Sequence, residues 1–441
     1  MNINQNFKRF VIVNTHTVLN PGDSAIVLAQ VDTIRRCYPK ARVSITSRMP
    51  RIDKKYYEPM GINVYGTLIP ALGSFSGLSG KAGEFFRSFC NMRDKVKLIK
   101  EIKSADLILS CGGGYLYSYN THFPELGFLQ NVAHIALAIF FGKTIILMPQ
   151  SFGPFQNSIS RLVVKLILTS RFVKRVFVRE QISMDILRSL CAGGISSKLT
   201  ICADMAFLFN IEGNNVTNAI LTQIENAKKI GPVAVFTLRY WDFPEEGDIL
   251  EKTSRKNAYM DSLLEAVRAV VDKYKGTVVL VPHVVGPEKA EDDRLVTEEF
   301  YKRVIEYLHV EGRIILIKSL DILIPKDIVE IYSLADVVVA TRFHSAIFAL
   351  LSSVPVIAIG YQHKCMGILK MLSLEKYFLD INSINPSSLF PLLDTIILKD
   401  DRLREDIKAK LKCTRENMFR KMKNILSEEL ENRGCEELCV S

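Results

Sequence analysis

Arg342 and His344 stand two residues apart in Thr341-Arg342-Phe343-His344-Ser345-Ala346-Ile347, directly after the apolar run Val337–Ala340. A guanidinium binds carboxylate or phosphate through paired donors, and an imidazole carries a proton near neutral pH. A buried strand turning into a helix at this point would open onto a cleft, and the helix N-terminus would favour an anion. The same residues also suit a quieter arrangement, with Arg342 capping a neighbouring carboxylate and His344 as a satisfied supporting side chain. Other strand ends enlarge the set. Arg239 follows Val233–Leu238, Pro282-His283 follows Thr277–Val281, and Tyr361 and Lys364 follow Val356–Ile359. Brought to one rim, these cations would suit a small ligand with several negative charges. Arg239, Arg342 and His344 are the candidates for chemistry; His283, Tyr361 and Lys364 are candidates for binding.

The first half supplies weaker signals. Asn20-Pro21-Gly22-Asp23 leads from a strand into a helix, where Gly22 permits a tight turn and Asp23 or Ser24 can cap. Either a ligand approaches this loop or it is a well-made cap. Cys111-Gly112-Gly113-Gly114 closes another apolar run and would let backbone amides approach a phosphate or sugar. The nearby Tyr115, Tyr117 and Tyr119 could stack on a sugar or simply pack. Gln150 and Ser151, in Pro149-Gln150-Ser151-Phe152-Gly153-Pro154, are read as aimed at the same rim. A salt bridge or a cap accounts for Arg179 and Asp204 as well as substrate binding does.

The elements that must position these residues are legible from periodicity. Apolar runs of strand length alternate with amphipathic helical stretches such as Ser24–Cys37, Leu126–Phe141, Ser158–Phe172, Tyr259–Tyr274 and Asp292–Leu308. The runs are continuous rather than alternating, as for strands covered on both faces. Strand–helix alternation of this kind predicts parallel α/β sheets. A chain of 441 residues exceeds one ordinary core. The polar stretch Asn210-Ile-Glu-Gly-Asn-Asn-Val-Thr-Asn, within residues 209–231, reads as the break. The expectation is two Rossmann-like domains facing a cleft, over residues 1–208 and 232–385, followed by a helical tail over 386–441. The stretch 71–84, rich in glycine and serine, reads as a mobile loop.

Composition limits the partners. Hydrophobic residues make up 48% and charged residues 24%, as in a soluble globular protein rather than a disordered one. A net charge of +10 favours anionic ligands. No nucleic-acid motif accompanies that charge, so no nucleic-acid partner is expected. The nine cysteines have no CxxC pair and no metal-ligand spacing, which points to a reducing compartment and no metal. The N-terminus lacks a signal-peptide core, and Val132–Phe141 is far shorter than a membrane span. These features predict a cytoplasmic enzyme. The basic tail, with Lys408, Lys410, Lys412, Arg415, Arg420, Lys421 and Lys423, is either solvated or in peripheral contact with the inner face of a membrane.

On the motifs from Asn20-Pro21-Gly22-Asp23 to Lys364 the chain resembles the polysaccharide pyruvyltransferase family. The matching blocks, in order, are CGGG at 111–114, PQSFGP at 149–154, Arg179-Glu180 with Ser183, ADMAF at 203–207 and TRFHSAIFALLSSVPVIAIGYQHK at 341–364. The resemblance implies a glycosyltransferase-B-like pair of domains. It also implies transfer of pyruvate from phosphoenolpyruvate to hydroxyls of a sugar, often as a cyclic ketal, with no further cofactor. It assigns the phosphoenolpyruvate site to Arg239 and the Arg342/His344 pair, in the second domain. The first domain would then take the acceptor, a cell-surface polysaccharide or its lipid-linked precursor, against Gly112, Gly113 and Gly114. A nucleotide-sugar glycosyltransferase of the same fold and a non-catalytic binding protein are the competing readings.

Overall fold

A computed structural model describes residues 7–69, 92–211, 218–243, 248–286, 291–318, 324–360, 363–398 and 402–438. The stretch 71–84 and Tyr361 lie outside the described residues, as does the side chain of Lys364. The chain forms two compact units. One contains residues 1–18, 23–210 and 415–441, and the other residues 19–22 and 211–414.

The first unit runs β1 (Arg9–Val13), α1 (Pro21–Cys37, from Asp23 on), β2 (Arg42–Ser47), α2 (Pro50–Tyr57), β3 (Ile62–Gly66), α3 (Met92–Ser104), β4 (Leu107–Ser110), β5 (Gly113–Ser118), α4 (Leu126–Phe140), β6 (Ile145–Phe155), α5 (Ser158–Thr169), β7 (Val173–Val178), α6 (Gln181–Leu190) and β8 (Leu199–Ile201). The second runs α7 (Asn218–Lys228), β9 (Val233–Thr237), α8 (Ile249–Arg268), β10 (Thr277–Leu280), α9 (Asp293–Leu308), β11 (Ile314–Leu316), α10 (Pro325–Ser333), β12 (Val337–Ala340), α11 (Phe343–Leu351), β13 (Val356–Gly360), α12 (His363–Met371), β14 (Phe378–Asp380) and α13 (Pro386–Ile397). A last helix, α14 (Arg402–Leu438), belongs to the second unit up to Thr414 and to the first from Arg415 on.

Both sheets are parallel throughout their paired strands. The first has the order β3-β2-β1-β4-β6-β7-β8, with β5 also on β6; the second has the order β11-β10-β9-β12-β13-β14. Each order reverses direction once, beside its first strand, and that reversal is where ligands bind in doubly wound sheets. The continuous apolar runs are the reason. β9, β12 and β13 are buried along their whole length, so both faces must be covered by helices, which only the right-handed strand–helix–strand crossover provides.

Several expectations need correcting. β3, β5 and β14 were not legible as apolar runs. The 209–231 break contains the helix α7, and α8 starts at Ile249, well before Tyr259. The 386–441 tail is not one body. α13 stays with the second unit, and α14 carries a buried row including Ile407, Leu411, Met418, Met422 and Leu426. Three of the cations named for it are engaged: Lys410 pairs with Asp406 at 2.8 Å, Arg415 donates to the Phe209 carbonyl at 3.1 Å, and Lys421 donates to the Ile201 carbonyl at 3.2 Å.

Candidate active site

The second sheet brings the cations together by register. Thr237, the last residue of β9, is the pairing partner of Ala340, the last residue of β12. Arg239 and Arg342 are therefore each two residues beyond neighbouring strand ends, on either side of the point where the strand order reverses. On the other flank of β9, β10 pairs Leu280 with Phe236, which brings His283 to the same end of the sheet. A belt of hydroxyls ties this end together. Thr341 Oγ1 donates to the Thr237 carbonyl, Thr237 Oγ1 lies 3.2 Å from Ser345 Oγ, and Ser345 Oγ lies 2.8 Å from the Tyr332 hydroxyl. Ser345 is fully buried, so Ser345→Ala should cost about 1–2 kcal/mol in urea denaturation by leaving the Tyr332 hydroxyl with one partner fewer.

Asp293 orients Arg342. Arg342 Nη2 donates to Asp293 Oδ1 at 2.6 Å and Nε to Oδ2 at 3.0 Å, while Nη2 also reaches the Glu291 carbonyl at 3.1 Å. The Asp293 carboxylate is 1% exposed and takes the Val284 N–H at 2.9 Å. Burial pushes its carboxyl pKa up, against the Arg342 charge that lowers it. The quieter reading of Arg342 is thus half right: it does pair with a carboxylate, through its Nε and Nη2 edge. Nη1 makes no hydrogen bond among the described residues, which leaves that end of the guanidinium for a ligand. Asp293 was missed in the sequence because Asp292-Asp293 reads simply as an acidic helix start. Only Asp292 caps α9, accepting from the Arg294 N–H, whereas Asp293 turns inward. Asp293→Asn keeps the shape and removes the anion. We expect it to cost roughly 1–3 kcal/mol of stability, measured by denaturation, because the Arg342 guanidinium loses its counter-charge while keeping the Glu291 carbonyl.

Arg239 sits beside this pair. Burial, then the Arg342 charge, lowers its pKa to about 10, so it remains a cation at neutral pH, partly stripped of water. Its guanidinium carbon lies 5.1 Å from the centre of the Trp241 ring, a cation–π distance. A cavity of about 410 Å³ is walled by that Trp241 together with Tyr240, Lys252 and Lys256. His283 is 1% exposed, and neither ring nitrogen has a hydrogen-bond partner among the described residues. Burial, with His344 and Arg342 nearby, holds its pKa well below the usual histidine value. It is therefore neutral at pH 7, which suits a binding residue rather than a proton donor.

His344 is the second residue of α11, with Arg342 at the N-cap position. Its ring packs edge-on against Phe343 at 5.0 Å and covers Gly22. A Cβ built at Gly22 would overlap the imidazole and stand 2.5 Å from the His344 Cβ. Gly22 is therefore approached by His344 rather than by a ligand. Residues 19–22 belong to this unit because the Leu19 carbonyl accepts from the Val285 N–H at 3.0 Å. The cap of α1 is Asn20, whose Oδ1 accepts from the Gly22 N–H at 3.1 Å, with Pro21 first in the helix. Neither Asp23 nor Ser24 fills that role. Asp23 belongs to the first unit and lies 3.7 Å from His16.

The remaining first-half candidates fold differently from expectation. The chain leaves β4 at Ser110 and re-enters the sheet at once: Gly113, at φ +124°, pairs with Gln150 of β6. A Cβ at Gly112 would stand 2.6 Å from the Pro149 carbonyl oxygen. Gly112 therefore serves close strand packing, Gly113 serves a backbone shape that other residues rarely adopt, and Gly114 lies in β5 beside them. β6 continues through Pro149, which has no N–H to donate, and its pairing with β7 skips from Leu147 to Gln150. Gln150 is consequently fully buried and Ser151 is 5% exposed. Among the described residues neither amide atom of Gln150 makes a well-formed hydrogen bond, and a polar neighbour is the Tyr115 hydroxyl, which it helps to hold against the upward push of burial. Ser151 Oγ is saturated, donating to Glu180 at 2.9 Å and accepting from Arg179 at 2.9 Å. Arg179 pairs with the fully buried Asp204, a structural network.

The reversal point of the first sheet holds a buried polar cluster. Asn14, at φ +64°, donates to Ser110 Oγ at 3.1 Å and accepts from His134 Nδ1 at 2.9 Å. The Leu68 N–H donates to His134 Nε2 at 3.2 Å, which fixes the Nδ1-protonated tautomer. Burial lowers the His134 pKa to about 4. The unfolded chain binds this proton near the ordinary value of ~6.5, so stability falls as pH drops below it and levels off near 4. The predicted loss is about 3 kcal/mol. His283 contributes with the same sign. Denaturation at stepped pH should show this slope, and His134→Gln should flatten it by one proton.

Two doubly wound parallel sheets, one gathering arginines and histidines at its reversal point, define an α/β enzyme of the glycosyltransferase-B-like class. The family model described as polysaccharide pyruvyl transferase matches residues 20–363, and the chain belongs to that family of transferases. It is 20% identical over 418 residues to the amylovoran biosynthesis protein AmsJ of Erwinia amylovora, covering 90% of this chain and 94% of that protein. Among solved structures it resembles Anabaena Alr3699/HepE in complex with UDP-glucose, with a TM-score of 0.54, 12% identity and coverage of 96% and 99% of the two chains. It also resembles the UDP-GlcNAc 2-epimerase from Methanocaldococcus jannaschii, with a TM-score of 0.53, 13% identity and coverage of 89% and 94%. At these identities the structural likeness establishes the fold. Among the described residues no helix is long and apolar enough to cross a membrane, and no cluster of His, Cys, Asp or Glu is arranged to hold a metal.

Proposed function

We propose that the protein transfers pyruvate from phosphoenolpyruvate to a pair of sugar hydroxyls in a polysaccharide or its lipid-linked precursor, forming a pyruvyl ketal. The observation that carries this reading is the shared register of Arg239 and Arg342 at the reversal point, with His344 one step into α11. Phosphoenolpyruvate bears a carboxylate and a phosphate on three carbons, and two cations on adjacent strand ends suit it. Its C3 takes a proton, His344 being the donor, and C2 becomes electrophilic. One sugar hydroxyl bonds to C2 and phosphate departs. A second hydroxyl closes the ketal. Of the two hydroxyl protons released, one replaces the proton lost by His344 and the other leaves with phosphate. General acid help of this kind is typically worth ~10²–10⁴-fold. Charge neutralisation is assigned to the arginines. The acceptor sugar is assigned to the cavity at Tyr240 and Trp241, where aromatic walls suit a sugar face; this moves it away from the first-unit glycines, two of which lie in the paired strand β5.

Trp241 is the sole tryptophan, and its ring lies under the Arg239 guanidinium. Titration with phosphoenolpyruvate should therefore change its fluorescence saturably and raise the melting temperature, while UDP-glucose should do neither. A response to UDP-glucose alone would favour the nucleotide-sugar glycosyltransferase.

A further inference from the structure

The face of α5 turned to solvent has an unusual make-up. Ser160, Val164, Ile167 and Leu168 are buried against the first sheet. The opposite side presents Ile159, Leu162 and Leu166, which are 44%, 58% and 61% exposed. An amphipathic helix on a globular protein normally puts polar groups there. The polar groups interleaved on this face are Arg161, Lys165 and two hydroxyls, with no carboxylate. Arg161 bonds to the Phe155 carbonyl, and among the described residues neither it nor Lys165 forms an ion pair.

The neighbouring chain extends this character. Between Glu125 and Glu180 there is no acidic residue, while there are seven Lys or Arg; of these, Arg175 pairs with Glu428 and Glu429, and Arg179 with Asp204. Arg171 follows α5, with its guanidinium over Phe172 at 4.9 Å. Phe172 packs against Gly142, and Gly142 closes α4 just after Phe140, which is 81% exposed. An exposed aromatic thus stands near the end of the same helix.

We infer that this α5 face is a docking surface for an anionic lipid bilayer. Apolar side chains rimmed by cations match an acyl boundary beneath negative headgroups, and a helix with no carboxylate of its own avoids adding repulsion against such a membrane. A second copy of the chain would bring these same unpaired cations against each other, which disfavours self-association through this face.

Vesicle co-sedimentation of the full chain tests the inference. Wild-type protein should sediment with vesicles of phosphatidylcholine mixed with phosphatidylglycerol, be released by salt, and stay in solution with phosphatidylcholine alone. Lys165→Gln should weaken binding roughly fivefold. The double variant Leu162→Glu/Leu166→Glu should abolish it. Both leucines are exposed, so folding, checked by circular dichroism, should be unaffected. Wild-type protein that ignores both vesicle types, or a double variant that binds like wild type, overturns the proposal. So does a wild-type dimer that the double variant splits in sedimentation velocity. None of these outcomes depends on the donor substrate, so the proposed pyruvyl transfer stands or falls separately.

Discussion

His344→Ala will suppress phosphate release from phosphoenolpyruvate by roughly 10²–10⁴-fold, the range for loss of a general acid, with both sheets intact by circular dichroism. Removing the Arg342 guanidinium should cost at least as much, since it removes a preorganised charge and a binding fork together. Arg342→Ala alone is an ambiguous test, because it strands the buried Asp293 carboxylate and lowers stability. Arg342→Lys is the companion variant. It keeps the positive charge but loses the two-edged geometry through which Arg342 holds Asp293 while offering Nη1 outward. Malachite-green phosphate detection, with phosphoenolpyruvate and cell-derived glycan acceptors, reads all three. Turnover like wild type in His344→Ala or Arg342→Lys removes these residues from the mechanism.

The second large effect is expected far away in sequence. Gly22→Ala places a methyl group where the His344 ring lies, so the ring must leave its position. A misplacement of about 1 Å at a reacting group can cost ~10²-fold, and a drop in kcat of that order is expected. Donor binding, read by the Trp241 signal, should persist because Arg239 and Arg342 do not touch Gly22. The diagnostic is the double variant: Gly22→Ala on top of His344→Ala should add little, since both act through one imidazole. Full additivity would mean that Gly22 matters for some other reason, such as the first turn of α1.

The parallel sheets were legible because burial on both faces requires continuous apolar runs, and Val233–Leu238, Val337–Ala340 and Val356–Ile359 show it without ambiguity. The cations just past those runs were legible for the same reason. Once the strands are set, residues two or three positions beyond their ends must lie at one edge. The first-half candidates were less legible, for a different reason. A glycine or a polar residue beside an apolar run has the same appearance whether the chain turns out to a ligand or pairs again. Gly113 and Gln150 took the second course and were drawn into one ladder. β5 went unseen because glycines open it and its pairing shifts register.

By itself, then, the order of residue types determined that this chain would build two doubly wound sheets and that Arg239, Arg342 and His344 would follow strands of the second. Tertiary structure alone decided what each of these side chains meets. Asp293 grips Arg342, Trp241 lies beneath Arg239, and Gly22 makes room for His344, although Gly22 and His344 come from opposite ends of the chain. The physical reason is that strand pattern is a local property of burial, whereas a partner at long sequence separation exists only after the sheet has set its register.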